Sequence, residues 1–398
     1  MRILVHDYSG HPFQAQLSRE LARRGHDVVH STCTAYVSGK GNLAGDAPGL
    51  RFVTIGDSTV LRKERYFQRL GQETLLGLEL ARQVRREKPD VAMLSNLPIP
   101  MLVAAAAMLK RLGIPWVLWH QDVTAVALKT FAGVAKSMGV AARVFGAGEK
   151  WSARKAAAIV VIAQSFLRIH QQWGTAGKVT VIPNWAPLDE IVPRPRDNDW
   201  SAEQGLNEVR TVLYSGTLGL KHNPVLLVQL AERLRDRGTP VRLVVVNDGP
   251  AVPVLRRAAA ARGVDLTLLP FQPYARLPDV LGSGDLLVVV LAADAGEFSV
   301  PSKTLSYLCA GRPVLGLMPD DNLAAHLLRQ AGSAVFPPAE SALDEASAWA
   351  QEILSDPARA ESLGKESRAL AEREFALEDC ASRFEDILRT VISRTPAR

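Results

Sequence analysis

Cysteine is scarce in this chain, and the few cysteines present are scattered. The 398 residues contain three, Cys33, Cys309 and Cys380. An odd number of widely separated cysteines provides neither a disulfide framework nor the close pairs that bind zinc, and it is typical of a reducing compartment. We therefore expect all three to be small core residues.

Long apolar runs are also missing. The longest covers residues 101–109, between Pro100 and Lys110, whereas about 20 residues are needed to span a bilayer. The N-terminal sequence MRILVHDYSG carries one Arg before a strand-like run that is too short for the apolar part of a signal peptide. The sequence therefore predicts a buried helix at 101–109 and a cytoplasmic protein.

Several signatures of catalysis and cofactor binding are absent from the sequence. There is no P-loop and no Gly-x-Ser-x-Gly nucleophile elbow. The one Asp-x-Asp, formed by Asp197 and Asp199, lies in a Pro-rich stretch with no strand before it, so we expect no metal site there and no metal cofactor. The net charge of +6 and the pI near 9.3 favour anionic partners, which could be nucleotide diphosphates, anionic lipids or nucleic acids.

Short apolar strands separated by helical patterns make up most of the chain. A length of 398 residues suggests two or three domains. Strands are predicted at 2–6, 27–30, 51–55, 91–94, 116–119, 159–162 and 179–182, and again at 211–214, 241–246, 266–269, 285–291 and 314–317. Such alternation is typical of parallel sheets with helices on both faces. Residues 186–208, rich in Pro and charge, are predicted to be an interdomain linker, and the tail at 376–392 a helix with Phe384, Ile387 and Val391 on one face.

Gly10 stands between the first strand and a helix that stops at Gly25. In a sheet of the nucleotide-binding type, a glycine here lets the backbone approach a ligand at the helix N-terminus. A second and third Gly do not follow at the spacing of a dinucleotide fingerprint. A tight turn without a ligand is the alternative.

Polar residues follow the fifth predicted strand in the order His120-Gln121-Asp122. Groups at the carboxyl end of a buried strand are placed where such sheets bind ligands, and His120 and Asp122 could orient hydroxyl groups or polarise a leaving group. A structural histidine with satisfied hydrogen bonds is the alternative.

The second half opens with a strand and a loop that contains Gly216, Thr217, Gly219 and Lys221. The glycines allow close backbone approach, and Lys221 supplies a positive charge for an anionic group. A solvated lysine in a loop is the alternative.

Residues 297–314 combine an acid, a turn, a helix start and a helix stop. Pro301 suits the first turn of a helix, and Gly311 ends the helix before the next strand. The amides of Ser302 and Lys303 would then lie at a helix N-terminus beyond the carboxyl end of a strand, where anions bind well. A capped core helix without a ligand is the alternative.

This stretch resembles the retaining glycosyltransferases of family four, especially the branch that includes colanic-acid-type enzymes. The resemblance rests on Glu297, on Pro301-Ser302-Lys303 and on the helix end Ala310-Gly311-Arg312-Pro313-Val314. His120-Gln121-Asp122 and the Gly-x-x-Gly-x-Lys loop ending at Lys221 match the same branch in the same order, so the resemblance covers nearly the whole chain.

The resemblance implies a GT-B fold, with two doubly wound Rossmann-like domains facing a central cleft. It places an acceptor domain at 1–190, a nucleotide-sugar domain at 191–378 and a C-terminal helix at 379–398 that returns to the first domain. It also implies retaining transfer of a sugar from a nucleotide diphosphate, expected to be UDP-linked, to a glycan or lipid-linked acceptor in polysaccharide or glycoconjugate biosynthesis. No nucleic-acid partner is expected.

Residue roles are carried over from the family by position. Catalytic roles fall on His120, Asp122, Lys221 and Glu297, and donor-binding roles on Gly10, Gly216, Thr217, Gly219, Ser302, Lys303 and Ser306. Ser306 stands where most of the family has a ribose-binding Glu, and Thr217 where an Arg is common. These departures favour one alternative, a donor-binding subunit without catalysis. A nicotinamide-dependent oxidoreductase, the other alternative, lacks its fingerprint here.

Cations recur every seven residues between positions 126 and 155. Lys129, Lys136, Arg143 and Lys150 could lie on one side of a helix whose other side is apolar, which indicates a peripheral anionic membrane surface. Gly133, Gly139, Gly146 and Gly148 argue against one continuous helix. A helical pair that covers the first sheet, with solvated lysines, is the alternative.

Overall fold

Two parallel β-sheets, each with helices around it, organise the chain in the computed structural model. The structure describes residues 1–8, 10, 12–35, 47–57, 66–121, 136–219, 222–293 and 302–395. One unit comprises Met1–Asn184 and Leu377–Arg398, and the other comprises Trp185–Ala376. Each unit contains one parallel sheet, so the predicted fold class of two doubly wound Rossmann-like domains is confirmed.

The first unit is built on a seven-stranded sheet in the order β3-β2-β1-β4-β5-β6-β7. Its strands are β1 (Arg2–Asp7), β2 (Asp27–Cys33), β3 (Leu50–Ile55), β4 (Val91–Ser95), β5 (Trp116–His120), β6 (Ala158–Val161) and β7 (Val179–Val181). The α-helices among them are α1 (Pro12–Arg23), α2 (Tyr66–Glu87), α3 (Ile99–Leu112), α4 (Lys136–Lys155) and α5 (Leu167–Trp173). The strand order reverses between β1 and β4, which is the point where such sheets bind ligands.

The second unit repeats the design with six strands in the order β10-β9-β8-β11-β12-β13. Its strands are β8 (Thr211–Ser215), β9 (Arg242–Val246), β10 (Leu266–Leu269), β11 (Leu286–Val290), β12 (Val314–Leu317) and β13 (Ala334–Phe336). Its helices are α6 (Asp199–Glu203), α7 (Val225–Asp236), α8 (Ala251–Arg262), α9 (Leu277–Gly282), α10 (Ser302–Cys309), α11 (Leu323–Gln330), α12 (Leu343–Ser355) and α13 (Pro357–Glu374). The order reverses between β8 and β11, so the loops after these two strands meet at the switch point.

The central strands carry apolar side chains on both faces of the sheet, which is typical of parallel strands that are buried under helices. All five residues of β4 and of β11 are buried, as expected for strands covered by helices on both faces. The helix predicted at 101–109 is α3, in which Met101, Leu102 and Leu109 are buried. The three cysteines are buried and form no disulfide with one another, as predicted. Among the described residues, no helix is both long and apolar enough to cross a membrane.

The predicted linker at 186–208 is wrong, because this segment is part of the second unit. Ile191, Trp200 and Leu206 are at most 1% exposed and belong to its core. The side chain of Asn198 accepts a hydrogen bond from the backbone amide of Ser201 at 3.0 Å, and the backbone amide of Asn198 donates to the Ser201 hydroxyl at 2.9 Å. This reciprocal cap begins α6. The prolines and charged residues around these three apolar side chains made the local composition resemble that of a linker.

The sequence predicted that glycines would interrupt a helix in this region. The glycines at 139, 146 and 148 do not do so, and α4 is continuous from Lys136 to Lys155. Gly148 has a packing reason. A Cβ on it would lie 3.0 Å from Val103 and 3.2 Å from Ile99, both on α3. The small residue therefore allows the two helices to approach closely, and this outweighs its poor helix propensity.

The last helix, α14 (Leu377–Ser393), lies within the first unit. Arg24 donates to the Ser382 hydroxyl and to the Glu378 carbonyl, both at 2.8 Å. The ring centroids of Trp119 and Phe384 are 4.7 Å apart. Phe384 and Val391 are buried as expected, but Leu388 is the fully buried residue of the last turns and Ile387 is only half-buried.

Candidate active site

The loop after β8 is fixed at the switch point of the second sheet. Gly216 has a φ of 136°, a backbone region that favours glycine. Its amide donates to the carbonyl of Val246 at 3.0 Å, and the amide of Leu218 donates to Oδ1 of Asn247 at 3.1 Å. Asn247 directly follows β9 and is 2% exposed. The loop is therefore held against the end of β9, the strand that pairs with β8.

Lys303 reaches this loop from the start of α10. Its Nζ donates to the carbonyl oxygen of Thr217 at 3.4 Å and lies 5.2 Å from the ring centroid of Tyr214. A Cβ on Gly216 would lie 3.0 Å from Cε of Lys303, so the glycine makes room for this side chain. Burial lowers the pKa of Lys303 to about 8. At pH 7 most Lys303 side chains therefore still carry their charge.

Helix α10 is fixed against the same strand. The Tyr307 hydroxyl accepts a hydrogen bond from the Ser215 amide at 2.8 Å and donates to the Ser215 carbonyl at 3.1 Å. The first amides of a helix have no partner within the helix. The amides of Ser302 and Lys303 and the Lys303 ammonium group therefore form a positively charged site beside the Gly216 loop, which suits an anion.

Several predicted donor-binding residues come together here. Gly216, Thr217 and Lys303 are in contact, and Gly219 belongs to the same loop. Ser306 is half-buried on α10, the helix that Ser302 begins. Two of the predicted catalytic residues, Lys221 and Glu297, lie outside the described residues.

Two side chains that the sequence analysis did not assign to the site also hold this loop and helix. Tyr307 fixes α10 to the end of β8. His222, which follows the loop, accepts at Nδ1 a hydrogen bond from the amide of Ala292, beyond the end of β11, at 3.1 Å. In the sequence, a tyrosine that only packs in the core cannot be told from one whose hydroxyl also forms hydrogen bonds. The hydrogen bonds of Tyr307 therefore became evident only in the structure.

His120 lies at the end of β5 in the first unit, within a chain of buried polar groups. Its Nε2 is 3.1 Å from Oε1 of Glu149, and its Nδ1 is 3.2 Å from Nε2 of His170. Nδ1 of His170 is 2.9 Å from the Thr175 hydroxyl. The ring of Trp173 stacks on that of His120, with centroids 6.0 Å apart. All four polar side chains are at most 5% exposed.

Two proton arrangements satisfy this chain. In one, neutral His120 donates from Nε2 to Glu149 and accepts at Nδ1 from His170. In the other, protonated His120 donates from both nitrogens, and His170 donates to Thr175. Burial, and then the charge of His120, lower the pKa of His170 to about 3. Both nitrogens of His120 have protein partners, so a substrate binds to one of them only by replacing Glu149 or His170.

Other polar groups lie at the same carboxyl edge of the first sheet. Gly10, which follows β1, is buried with a φ of 74°. Nε2 of Gln14 donates to the Ser95 hydroxyl at 2.8 Å. Nε2 of Gln121 is 3.5 Å from Oδ1 of Asn184. Asp122 lies outside the described residues. In the part of the chain that the structure describes, no group of three His, Cys, Asp or Glu side chains could hold a metal ion.

Known proteins resemble both the sequence and this architecture. Residues 11–185 match the family model described as a glycosyl transferase 4-like domain. The putative colanic acid biosynthesis glycosyl transferase WcaI of Escherichia coli (strain K12) is 28% identical over 236 residues, which cover 57% of this chain and 57% of the relative. The alpha-D-kanosaminyltransferase of Streptomyces kanamyceticus is 24% identical over 189 residues, 47% of each chain. In sequence the chain is therefore similar to glycosyltransferases over part of its length.

Solved structures extend the likeness to the whole fold. HepE of Anabaena, in complex with UDP and glucose, has a TM-score of 0.71 at 15% identity and covers 98% of this chain and 100% of that chain. The sucrose-phosphate synthase of Thermosynechococcus elongatus also has a TM-score of 0.71, at 16% identity, with 99% of each chain covered. Such identities establish the shared GT-B fold alone. The chain spans about half the length of the curated relatives that it matches.

Proposed function

We propose that this protein transfers a sugar from a nucleotide diphosphate, UDP-linked, to a glycan or lipid-linked acceptor, with retention at the anomeric carbon. The observation that carries the proposal is the contact of Lys303 with the Gly216–Thr217 backbone, beside the amino end of α10. A half-buried cation and the first amides of a helix at a switch point form a site for a diphosphate. The family-four match of the first unit agrees with this chemistry.

In the proposed reaction the diphosphate is the leaving group. Its negative charge grows as the bond to the sugar breaks, so fixed positive groups accelerate this step more than a nucleophile would. We assign this role to Lys303, to the amides of Ser302 and Lys303, and to Lys221. His120 and Glu297 are assigned to orient the sugar, and Ser306 lies at the position of the family's ribose contact. Because Lys303 provides the neutralising charge, no metal is required in this scheme.

The first prediction concerns donor turnover. A screen of nucleotide sugars should identify one that binds, and prolonged incubation with that donor should release UDP slowly without an acceptor. The rate should survive EDTA, because lysine and backbone amides neutralise the leaving group.

Two results would contradict this proposal. A protein that binds the donor and never releases UDP is a donor-binding subunit, and one that binds no nucleotide sugar is not a transferase of this kind. Loss of activity in EDTA that manganese or magnesium specifically restores would contradict the metal-free scheme.

We also propose that the protein works at an anionic membrane surface. On α4, Arg143 is exposed and Val144 is 64% exposed, so a cation and an apolar side chain face outward together. Basic residues near an anionic surface each contribute about 1 kcal/mol, which salt screens. A lipid-linked acceptor would then meet the enzyme at the bilayer.

The second prediction is that anionic vesicles sediment the protein at low salt and much less at high salt. Changing Lys129, Lys136, Arg143 and Lys150 to Gln should abolish this binding. A matched variant with Arg82, Arg85, Lys110 and Arg111 changed to Gln has the same net charge and should still sediment. Equal loss in both variants would indicate a general charge effect and contradict the proposed surface.

A further inference from the structure

The second unit contains a groove at the amino ends of its central strands. It has a volume of about 920 Å³ and lies between the segment 193–196, the turn 310–313 and one side of α13. Arg210, just before β8, and Asp285, just before β11, also line it. The groove is large enough for a small-molecule ligand, since such sites typically measure about 300–1,000 Å³.

Positive charge dominates the lining of this groove. The cations are Arg194, Arg196, Arg210, Arg312, Lys365 and Arg368. The carboxylates are Asp285, Glu361 and Glu372. Four of the cations lie within 4.0 Å of a carboxylate: Arg194 of Asp279, Arg196 of Asp285, Lys365 of Glu361 and Arg368 of Glu372. The remaining two have no carboxylate partner among the described residues.

Arg312 is the better placed of these two. Its side chain is half-buried, and its Nη2 donates to the carbonyl of Arg194 at 3.0 Å. Burial lowers the pKa of its guanidinium group below the usual value. A guanidinium has five N–H donors, so Arg312 retains the capacity to bind an anion in the groove. Arg210 is exposed at the other side of β11 from Arg312.

Apolar side chains complete the lining. Pro193, Pro195 and Leu354 contribute non-polar surface, and Gly364 allows α13 to approach the 310–313 turn, since a Cβ on it would lie 2.2 Å from the Gly311 carbonyl oxygen. Polar groups that fix an anion beside apolar walls are typical of small-ligand sites.

The groove is separate from the candidate donor site of the same unit. Arg210 precedes β8 and Gly216 follows it. A five-residue strand is about 16 Å long. One ligand therefore does not occupy both sites, and binding in the groove does not depend on the proposed transferase activity.

We propose that this groove binds a phosphate-bearing small molecule, with Arg312 and Arg210 as the groups that contact its anionic oxygens. Arginine suits this role because its planar donors match phosphate oxygens in pairs. The neighbouring ion pairs hold the other cations in place and leave these two for the ligand.

The test is calorimetric titration of inorganic pyrophosphate into the protein in the presence of saturating UDP. We expect one pyrophosphate site per chain. Arg312→Gln and Arg210→Gln should each weaken it at least about tenfold, as loss of a charged hydrogen-bond donor commonly does. Arg257→Gln is the matched control, because it removes an exposed Arg of α8 that does not line the groove, and it should change the affinity less than about twofold.

The outcomes separate this proposal from the donor site. Lys303→Met should weaken the binding of UDP and leave the binding of pyrophosphate in the groove unchanged. If the protein binds no UDP but binds pyrophosphate through Arg312, the donor proposal fails and the groove stands. The groove proposal is wrong if pyrophosphate does not bind in the presence of saturating UDP. It is also wrong if Arg257→Gln weakens pyrophosphate binding as much as the two groove variants do. Arg210 is exposed, so its variant tests the proposal even if Arg312→Gln does not fold.

Discussion

Replacing Lys303 with Met should lower kcat about a hundredfold or more, because loss of one preorganised group that stabilises developing charge costs about 3 kcal/mol. Met keeps most of the side-chain volume beside Gly216 and Tyr214, so the loop should stay packed. UDP release from the donor at pH 7 measures the effect. Lys110→Met, on the exposed side of α3, is the control and should leave the rate unchanged.

The same lysine predicts how the rate depends on pH. Burial lowers the pKa of Lys303 to about 8, so its charge is present below pH 8 and is lost as pH rises through that value. The rate should fall above about pH 8. Lys303→Arg should move this fall to higher pH, since Arg stays charged. A Lys303→Met enzyme with full activity, or a parent rate that does not change from pH 7 to 9.5, would remove Lys303 from the mechanism.

The parallel sheets could be predicted because buried strands leave a direct signal in the sequence. The strands predicted at 266–269 and 314–317 match β10 and β12 residue for residue. Apolar runs bounded by turn residues leave little choice of structure there. Strand β13, at Ala334–Phe336, was missed because an apolar run of only three residues is too short to indicate a strand.

Longer-range packing explains the errors. Segment 186–208 was interpreted as a linker because local composition favours loops, yet Trp200 and Leu206 are buried among residues distant in sequence. The glycines of α4 were interpreted as breaks because local propensity disfavours helix, yet close packing on α3 determines the outcome. In both cases tertiary contacts outweigh local preference.

The sequence predicted where the residues of the candidate site lie along the strands and helices, but not which side chains contact one another. The sequence places Gly216 after one strand and Lys303 at the start of a helix, and the topology brings those positions together. The sequence does not show that Glu149 and His170 would bond His120, because they lie on two different helices at no characteristic spacing. The roles of Asp122, Lys221 and Glu297 stay predictions.

The largest expected effect on stability concerns three buried histidines of the first unit. His6 donates from Nδ1 to the Ser31 hydroxyl at 2.9 Å, since that hydroxyl donates to Gln83. Nδ1 of His30 is 2.8 Å from the Ser18 hydroxyl. Burial lowers the pKa of His6, His30 and His170 to about 3 each. All three are therefore neutral in the folded protein at every pH above about 4.

Stability should fall steeply as pH drops below about 6.5, where these histidines take up protons once unfolded. Between pH 6.5 and 4.5 each contributes about 2 kcal/mol of destabilisation. Three such groups together approach the whole stability of a typical domain, about 5–15 kcal/mol. The first unit should therefore unfold in mild acid.

The buried thiols can report this loss separately for each unit. Cys33 lies in the first unit and Cys309 in the second. Urea unfolding at pH 7.5, 6.0 and 5.0, with dithiodipyridine labelling mapped by mass spectrometry, should show that the urea midpoint for labelling of Cys33 falls much further with pH than the midpoint for Cys309.

A His6→Asn variant separates the contribution of one histidine. The Asn side chain can still donate to Ser31 but does not take up a proton on unfolding, so the variant should reduce the pH dependence of the Cys33 midpoint by about a third. His326→Asn, on the exposed side of α11, should not change it. Equal midpoints for Cys33 at pH 7.5 and 5.0 would mean that these histidines are protonated without unfolding, and the buried hydrogen bonds of His6 and His30 would then have to rearrange.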